Sequence, residues 1–345
     1  MKKIHLIREK ASKFGGAEVY LSRLSEALKV EDIDHKIVNS IFPKFLPSWL
    51  RIVLFNLQVC LTKKSKLYFS LERITCPDVY RAGDGVHKVF LSIESKTKLN
   101  PLHPIYLFLE KRCFNNAKRI IANSHMIKDE IINTYGVSSN KIDVIYNGVV
   151  SKEFNYQDSF NKISKEFNLD KDTPILLYVG SGFKRKGVED FLGIVANLKT
   201  KNIKAFIVGK EKNIKYYKQL SKDLKIDKQV VFTGPRDDVD DFYTISDVFL
   251  FPTRYEPFSN VVLEAMSYNN AVFTTRQNGA HEILEDRYIM SNSKDFSVVD
   301  KIDALLKDKE ALCAIKQANN IKANELSIEL NMQKTITTIK QAQKL

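Results

Sequence analysis

Two carboxylates, Glu256 and Glu264, stand eight residues apart in the stretch 255–266, Tyr-Glu-Pro-Phe-Ser-Asn-Val-Val-Leu-Glu-Ala-Met. Pro257 cannot continue a helix but is tolerated at or before its first turn, and Ser259 is a good N-cap ahead of an apolar run. The spacing therefore predicts Glu256 just before a helix and Glu264 inside it. The backbone N–H groups of Phe258, Ser259 and Asn260, with Val261 following, would make a partly positive pocket between the two carboxylates. Carboxylates flanking such a pocket accept hydrogen bonds from hydroxyls, one set on a sugar and one on a ribose. A bare pair of glutamates is more often a loop residue and a solvated helix residue, so the flanking residues have to decide.

A second chemical stretch, Gly-Ser-Gly-Phe-Lys-Arg-Lys-Gly at 180–187, follows the buried-strand pattern Ile-Leu-Leu-Tyr-Val. Glycines such as Gly182 let the backbone approach a ligand, while Arg185 and Lys186 place positive charge near a helix start. That suits a diphosphate leaving group, whose growing negative charge fixed cations stabilise. Seen alone, Lys-Arg-Lys reads as a basic surface loop; at the carboxyl end of a strand, where doubly wound sheets bind ligands, it reads as a site. Gly15 and Gly16 follow the first strand pattern in the same way, without the full G-x-G-x-x-G spacing.

These residues need elements to hold them. A strand pattern at 3–7, a helical one carrying Val19, Leu21, Leu24 and Leu28, and further strand–helix signals at 119–124, 126–135 and 141–148 make a first βα series. Residues 150–173 turn polar and charged, which suggests a linker. Strand patterns at 175–180, 205–208, 230–232, 248–251 and 271–274 then alternate with helical segments, a second doubly wound sheet. Residues 302–345 read as polar amphipathic helix. At 345 residues the chain exceeds the usual single core.

The stretch 255–266 resembles the Glu-x7-Glu motif of retaining glycosyltransferases of family four. The string Asp-Val-Tyr-Arg-Ala-Gly-Asp-Gly-Val-His at 78–87 and Asn278-Gly279-Ala280 add a likeness to bacterial lipopolysaccharide core glycosyltransferases, in particular those adding glucose to inner-core heptose. The resemblance implies an α/β GT-B fold: two Rossmann-like doubly wound parallel-sheet domains facing a cleft. The first, 1–160, would bind acceptor; the second, 161–325, nucleotide sugar; a last helix, 326–345, would cross back to the first. It also implies that Arg185 and Lys186 grip the donor diphosphate, with Gly15 and Gly16 facing the same phosphate across the cleft. Glu256 would hold the transferred sugar, Glu264 the ribose, and the amides at Ser259 to Val261 the phosphate or sugar. An aspartate of the first domain lies near the reacting carbon in that family, and Asp84 is the matching candidate; between two glycines it is equally a turn residue. His87 either orients a hydroxyl or, as the favoured reading, ends that turn, and Glu18 is open. The implied reaction retains configuration, with no protein nucleophile and no metal or other cofactor.

Composition is that of an ordinary soluble protein, 44% hydrophobic and 28% charged, and no apolar run approaches the roughly 20 residues needed to span a bilayer. The four cysteines form no Cys-x-x-Cys pair and are expected to be reduced, mostly buried thiols, and the six scattered histidines argue against a metal centre. Of the net charge of +13, residues 1–150 carry +10, with 24 Lys and Arg against 14 Asp and Glu. Segments 43–66 and 96–114 mix cations with aromatic and aliphatic residues, as a helix lying on anionic lipid does, and equally as a core helix with solvated basic ends. The expectation is a cytoplasmic enzyme, peripheral on the inner face of the membrane, with a nucleotide sugar and a lipid-linked saccharide as partners and no nucleic acid. A GDP-sugar donor, a polysaccharide or soluble acceptor, or a non-catalytic two-lobed protein binding an anionic ligand are the alternatives.

Overall fold

The runs Ile-His-Leu-Ile, Leu-Tyr-Phe-Ser and Val-Tyr-Arg-Ala are buried at every position, as strands covered on both faces must be. The computed structural model of the chain describes residues 3–10, 15–94, 100 and 102–345. Two compact units emerge: residues up to Asn147 together with Ile328–Leu345, and Gly148–Ser327.

In the first unit the strands are β1 (Ile4–Ile7), β2 (His35–Val38), β3 (Leu67–Ser70), β4 (Val79–Ala82), β5 (Arg119–Ala122) and β6 (Ile142–Val144). They form a six-stranded parallel sheet in the order β2-β1-β3-β4-β5-β6. Its helices are α1 (Gly16–Val30), α2 (Ser48–Leu61), α3 (His87–Glu94), α4 (Leu102–Asn116) and α5 (His125–Tyr135). The second unit holds β7 (Ile175–Val179), β8 (Lys204–Val208), β9 (Val230–Gly234), β10 (Val248–Phe251), β11 (Ala271–Thr275) and β12 (Ile289–Met290). They too are all parallel, in the order β12-β11-β10-β7-β8-β9. Its helices are α6 (Tyr156–Phe167), α7 (Val188–Asn197), α8 (Ile214–Asp223), α9 (Val239–Ile245), α10 (Asn260–Ser267), α11 (Val298–Lys307) and α12 (Lys309–Asn324).

The last helix, α13 (Ile328–Lys344), belongs to the first unit. Its Ile328, Met332, Ile336, Ile339 and Ala342 repeat at helical spacing and enter one core with Ile4 and Leu6 of β1 and Leu21, Leu24 and Leu28 of α1. Tyr20 of α1 adds a hydrogen bond to Thr335.

Two expectations are corrected. The polar stretch read as a linker contains α6, started by Asn155, whose side chain accepts from the Gln157 and Asp158 amides, and ended by Asn168 in the left-handed conformation. Phe160 and Ile163 bury the one apolar stripe that its polar composition conceals. The cysteines are not all reduced: Cys60 and Cys76, 16 residues apart, form a disulfide. The end of α2 returns beside the loop after β3, so distance in sequence hides nearness in space. Cys113 is buried and free, whereas Cys313 is free and exposed.

Candidate active site

In the second unit, the site grows from the carboxyl ends of neighbouring strands. The loop after β7 packs on the end of β10: a Cβ on Gly187, which has φ +76°, would stand 1.8 Å from the Pro252 carbonyl oxygen, so only glycine fits there. The Arg185 carbonyl accepts from the Arg254 amide at 2.9 Å and from the Thr253 hydroxyl at 3.3 Å. Thus anchored, the Arg185 guanidinium donates from Nη1 to Glu256 Oε2 at 2.6 Å and to the Tyr255 carbonyl at 2.7 Å. Lys186 Nζ lies 3.9 Å from the same Glu256 oxygen and over the Phe251 ring at 5.4 Å. Burial lowers the Lys186 pKa from its ordinary value, and Arg185 adds to the effect, against the pull of Glu256.

Glu256 itself is held like a residue of a one-step strand. Its N–H donates to the Gln277 carbonyl and its carbonyl accepts from the Gly279 amide, both at 2.9 Å, in a parallel bridge to Asn278. The fully buried Asn278 accepts from the Ser259 and Ala280 amides at 3.2 Å each and donates to the Thr274 hydroxyl at 3.0 Å. This corrects the pocket of free amides: the Ser259 N–H is already committed to Asn278. Ser259 does cap α10, but its side chain makes no capping bond. Glu264 lies inside α10, where it accepts from the Tyr243 hydroxyl at 3.2 Å. Burial first, and then Glu264, push the Tyr243 pKa well above its ordinary value.

Beside this charged corner, glycines stand at the ends of three neighbouring strands. Gly180, Gly209 and Gly234 end the adjacent strands β7, β8 and β9. Gly209 donates to the Gly234 carbonyl at 2.9 Å, and a Cβ on it would sit 2.0 Å from the Gly180 carbonyl oxygen. Gly182, with φ +77°, has open space where its Cβ would be. Under Gly180, the hydroxyl of Tyr178 is buried without a hydrogen-bond partner. The arrangement offers two cations and a carboxylate at one corner and a row of strand-end glycines next to it, the first of them under the Lys186 side chain, which fits a phosphorylated ligand carrying a planar ring.

In the first unit the candidate residues also meet a strand-end network. Gly15 precedes α1 with φ +129°, and a Cβ there would be 2.4 Å from Glu18 Oε2; Gly16 opens the helix. Glu18 accepts from Arg8 Nη2 at 2.8 Å, and Arg8 Nη1 donates to Glu72 at 2.8 Å. Burial raises the Glu72 pKa, with Arg8 opposing and Asp84 assisting. Asp84 is exposed in the turn between β4 and α3, and its charge is felt by Arg8, Glu72 and Arg73. His87 faces His103, with Nε2 to Nδ1 at 3.1 Å, and packs on Tyr106. Sequence reading missed Arg8, Glu72, Arg73, Tyr178 and Tyr243; Arg8 sits directly after a buried strand, the one available hint. Among the described residues no cluster of His, Cys, Asp and Glu is arranged to hold a metal ion.

The chain and its fold are similar to known proteins. Residues 159–324 match the family described as glycosyl transferases group 1, and residues 84–153 match glycosyltransferase family 4. Over 179 residues the chain is 29% identical to N-acetyl-alpha-D-glucosaminyl L-malate synthase of Bacillus anthracis, covering 50% of this chain and 47% of the relative. Over 218 residues it is 29% identical to the capsular polysaccharide biosynthesis glycosyltransferase CapM of Staphylococcus aureus, 59% of this chain and 56% of the relative. The chain thus spans about half the length of the curated relatives it matches. Among solved structures, WaaG, a glycosyltransferase involved in lipopolysaccharide biosynthesis, superposes with a TM-score of 0.81 at 18% identity over 97% of this chain and 99% of its own. Anabaena HepE with UDP and glucose gives 0.73 at 17% identity over 99% and 100%. The two six-stranded parallel sheets are the two Rossmann domains of the GT-B fold, and most of the second unit matches the model of the glycosyl transferases group 1 family.

Proposed function

We propose that the chain is a retaining hexosyltransferase moving a hexose, with glucose the first choice, from a UDP-sugar to a core saccharide of the lipopolysaccharide or lipooligosaccharide type. The observation that carries this reading is the meeting of Arg185, Lys186 and Glu256 beside the strand-end glycines. Arg185 and Lys186 take the diphosphate and stabilise the charge that builds on the leaving oxygen, in the place a metal ion would otherwise fill. Glu256 holds hydroxyls of the transferred sugar and faces its developing positive charge. Glu264, steadied by Tyr243, takes the ribose. The base lies along Gly180, Gly209 and Gly234, and the loop at Gly182 and the turn 258–261 line the phosphate and sugar. Gly15 and Gly16 of the first unit face the phosphate, and Asp84 stands by the acceptor hydroxyl. A structural neighbour holding UDP and glucose supports this donor.

A membrane-borne acceptor draws support from the outer face of α2. Trp49, Val53, Leu57 and Leu61 recur every four residues there, with Leu61 79% exposed; Phe45 just ahead is 84% exposed, and Lys64 and Lys66 follow. We place this stripe against anionic lipid at the inner face of the cytoplasmic membrane. Of the segment 96–114, residues 96–99 and 101 lie outside the described residues, and Leu109, Glu110, Cys113 and Phe114 are buried. Among the described residues no helix is long and apolar enough to cross a membrane.

Melting the protein against UDP-, GDP- and ADP-glucose identifies the donor, since a ligand bound only by the folded state raises Tm. Labelled UDP-glucose with a truncated core lipid then tests transfer. Stabilisation by GDP-sugars alone, or transfer only to malate or a polysaccharide, would replace the substrates named here; binding with neither hydrolysis nor transfer would replace the enzyme.

A further inference from the structure

Away from the donor corner, one carboxylate is wholly enclosed by donors. Glu110 of α4 has no exposed surface. It accepts from Arg73 Nε at 2.9 Å, from the Tyr135 hydroxyl at 2.6 Å, and from the backbone amides of His87 at 2.7 Å and Lys88 at 3.3 Å. The other arm of Arg73, Nη2, donates to the Gly85 carbonyl at 3.1 Å. The two amides belong to the first turn of α3, where helical N–H groups have no partner within the helix. One ion pair therefore grips the turn carrying Asp84 from both polarities: its carbonyl through Arg73, its amides through Glu110.

Stability alone does not account for this device. Replacing a buried ion pair with apolar residues of the same volume is often neutral or stabilising, whereas removing one partner leaves an uncompensated buried charge. What four donors on one carboxylate supply is a fixed geometry. Burial opposes the Arg73 charge, yet Tyr80, Glu110 and Asp84 hold its pKa well above the usual arginine value, so the grip is kept ionised.

We infer that Glu110 is a positioning residue, which through Arg73 and the first turn of α3 sets the direction in which Asp84 faces the acceptor hydroxyl. This rests on the role given to Asp84 in the proposed function. Glu110→Gln keeps the shape and removes the charge; Tyr135→Phe removes one donor only and serves if the first variant does not fold. Amide hydrogen exchange on the ligand-free protein reads the turn directly. Exchange at His87 and Lys88 should quicken at least tenfold in Glu110→Gln and severalfold in Tyr135→Phe, with β1 and β7 unchanged. In transfer from UDP-glucose, kcat should fall at least tenfold in Glu110→Gln while the donor KM stays within twofold, because the charged donor contacts, Arg185, Lys186, Glu256 and Glu264, belong to the other unit and Gly15 and Gly16 are not bonded to this turn. Unaltered exchange at His87 and Lys88 in a folded variant overturns the inference, as does quickened exchange with kcat intact. A wild-type protein that transfers from no nucleotide sugar counts against the proposed function instead, and the exchange result still decides whether Glu110 holds the turn.

Discussion

Arg185 reaches Glu256 at 2.6 Å, so the cation proposed for a phosphate is paired with the carboxylate proposed for a sugar. In the proposed reaction each partner is released to its own part of the donor. Glu256→Gln and Arg185→Lys should each cut transfer by about 10²–10³-fold, the size of losing one transition-state contact, while Tm moves by only a few degrees. Full activity in both variants, measured beside melting curves, would remove the pair from the mechanism.

In the proposed reaction Lys186 should set an alkaline limit. Burial depresses its pKa below the ordinary 10.5, so kcat/KM for the donor should fall as pH rises through that lowered value, earlier than an exposed lysine would allow. A bound diphosphate favours the charged form, so the limb in kcat should lie at higher pH than the limb in kcat/KM. The linked stability runs the other way: the charged, buried lysine costs the folded state below its lowered pKa, and that cost is relieved as pH climbs toward 10.5. In Lys186→Arg the limb should vanish from the accessible range; an unchanged profile assigns it to another group.

The Cys60–Cys76 disulfide closes a short loop in the first unit. A crosslink of that span is worth about 3 kcal/mol, or roughly 6–12 °C in Tm for a unit of this size. Reduction should lower the first unit's melting by about that amount and leave the second unit's unchanged. Cys76→Ser should melt low with or without reductant. After reduction, Asn56 still accepts from the Thr75 amide and hydroxyl, and Lys63 still donates to the Cys76 carbonyl, so the loop should stay in place in a reducing compartment.

Sedimentation with vesicles tests the α2 stripe. Binding to vesicles containing phosphatidylglycerol should exceed binding to phosphatidylcholine alone and weaken with salt. Phe45→Ser with Trp49→Ser should reduce it at least fivefold without changing Tm, both side chains being largely or partly exposed. Equal binding by the double variant would move the contact elsewhere.

The second unit was the more legible half in the sequence. Its strands at β7, β8 and β10 are mostly uninterrupted apolar runs, and the helix start at Ser259 follows from Pro257 and the run after it. In the first unit β2, β3 and β4 are hidden because polar members, such as Lys36, Ser70 and Arg81, interrupt short apolar runs. Pairing across sequence distance was equally hidden. Nothing near Glu110 announces a partner at Arg73, 37 residues away, and the cations around it suggested a surface where the structure has an interior. Glu256 could be chosen from spacing, but its support by Asn278 required β10 and β11 to lie side by side.

The placement of α13 sets an order of events on the ribosome. Residues up to Asn147 emerge first, yet their core lacks Ile328, Met332, Ile336, Ile339 and Ala342 until the whole second unit has been synthesised. The nascent first unit must wait with the apolar face of α1 uncovered, a span in which chaperones and aggregation compete for it. Premature termination near residue 327 would release a finished second half joined to a first half still missing one wall.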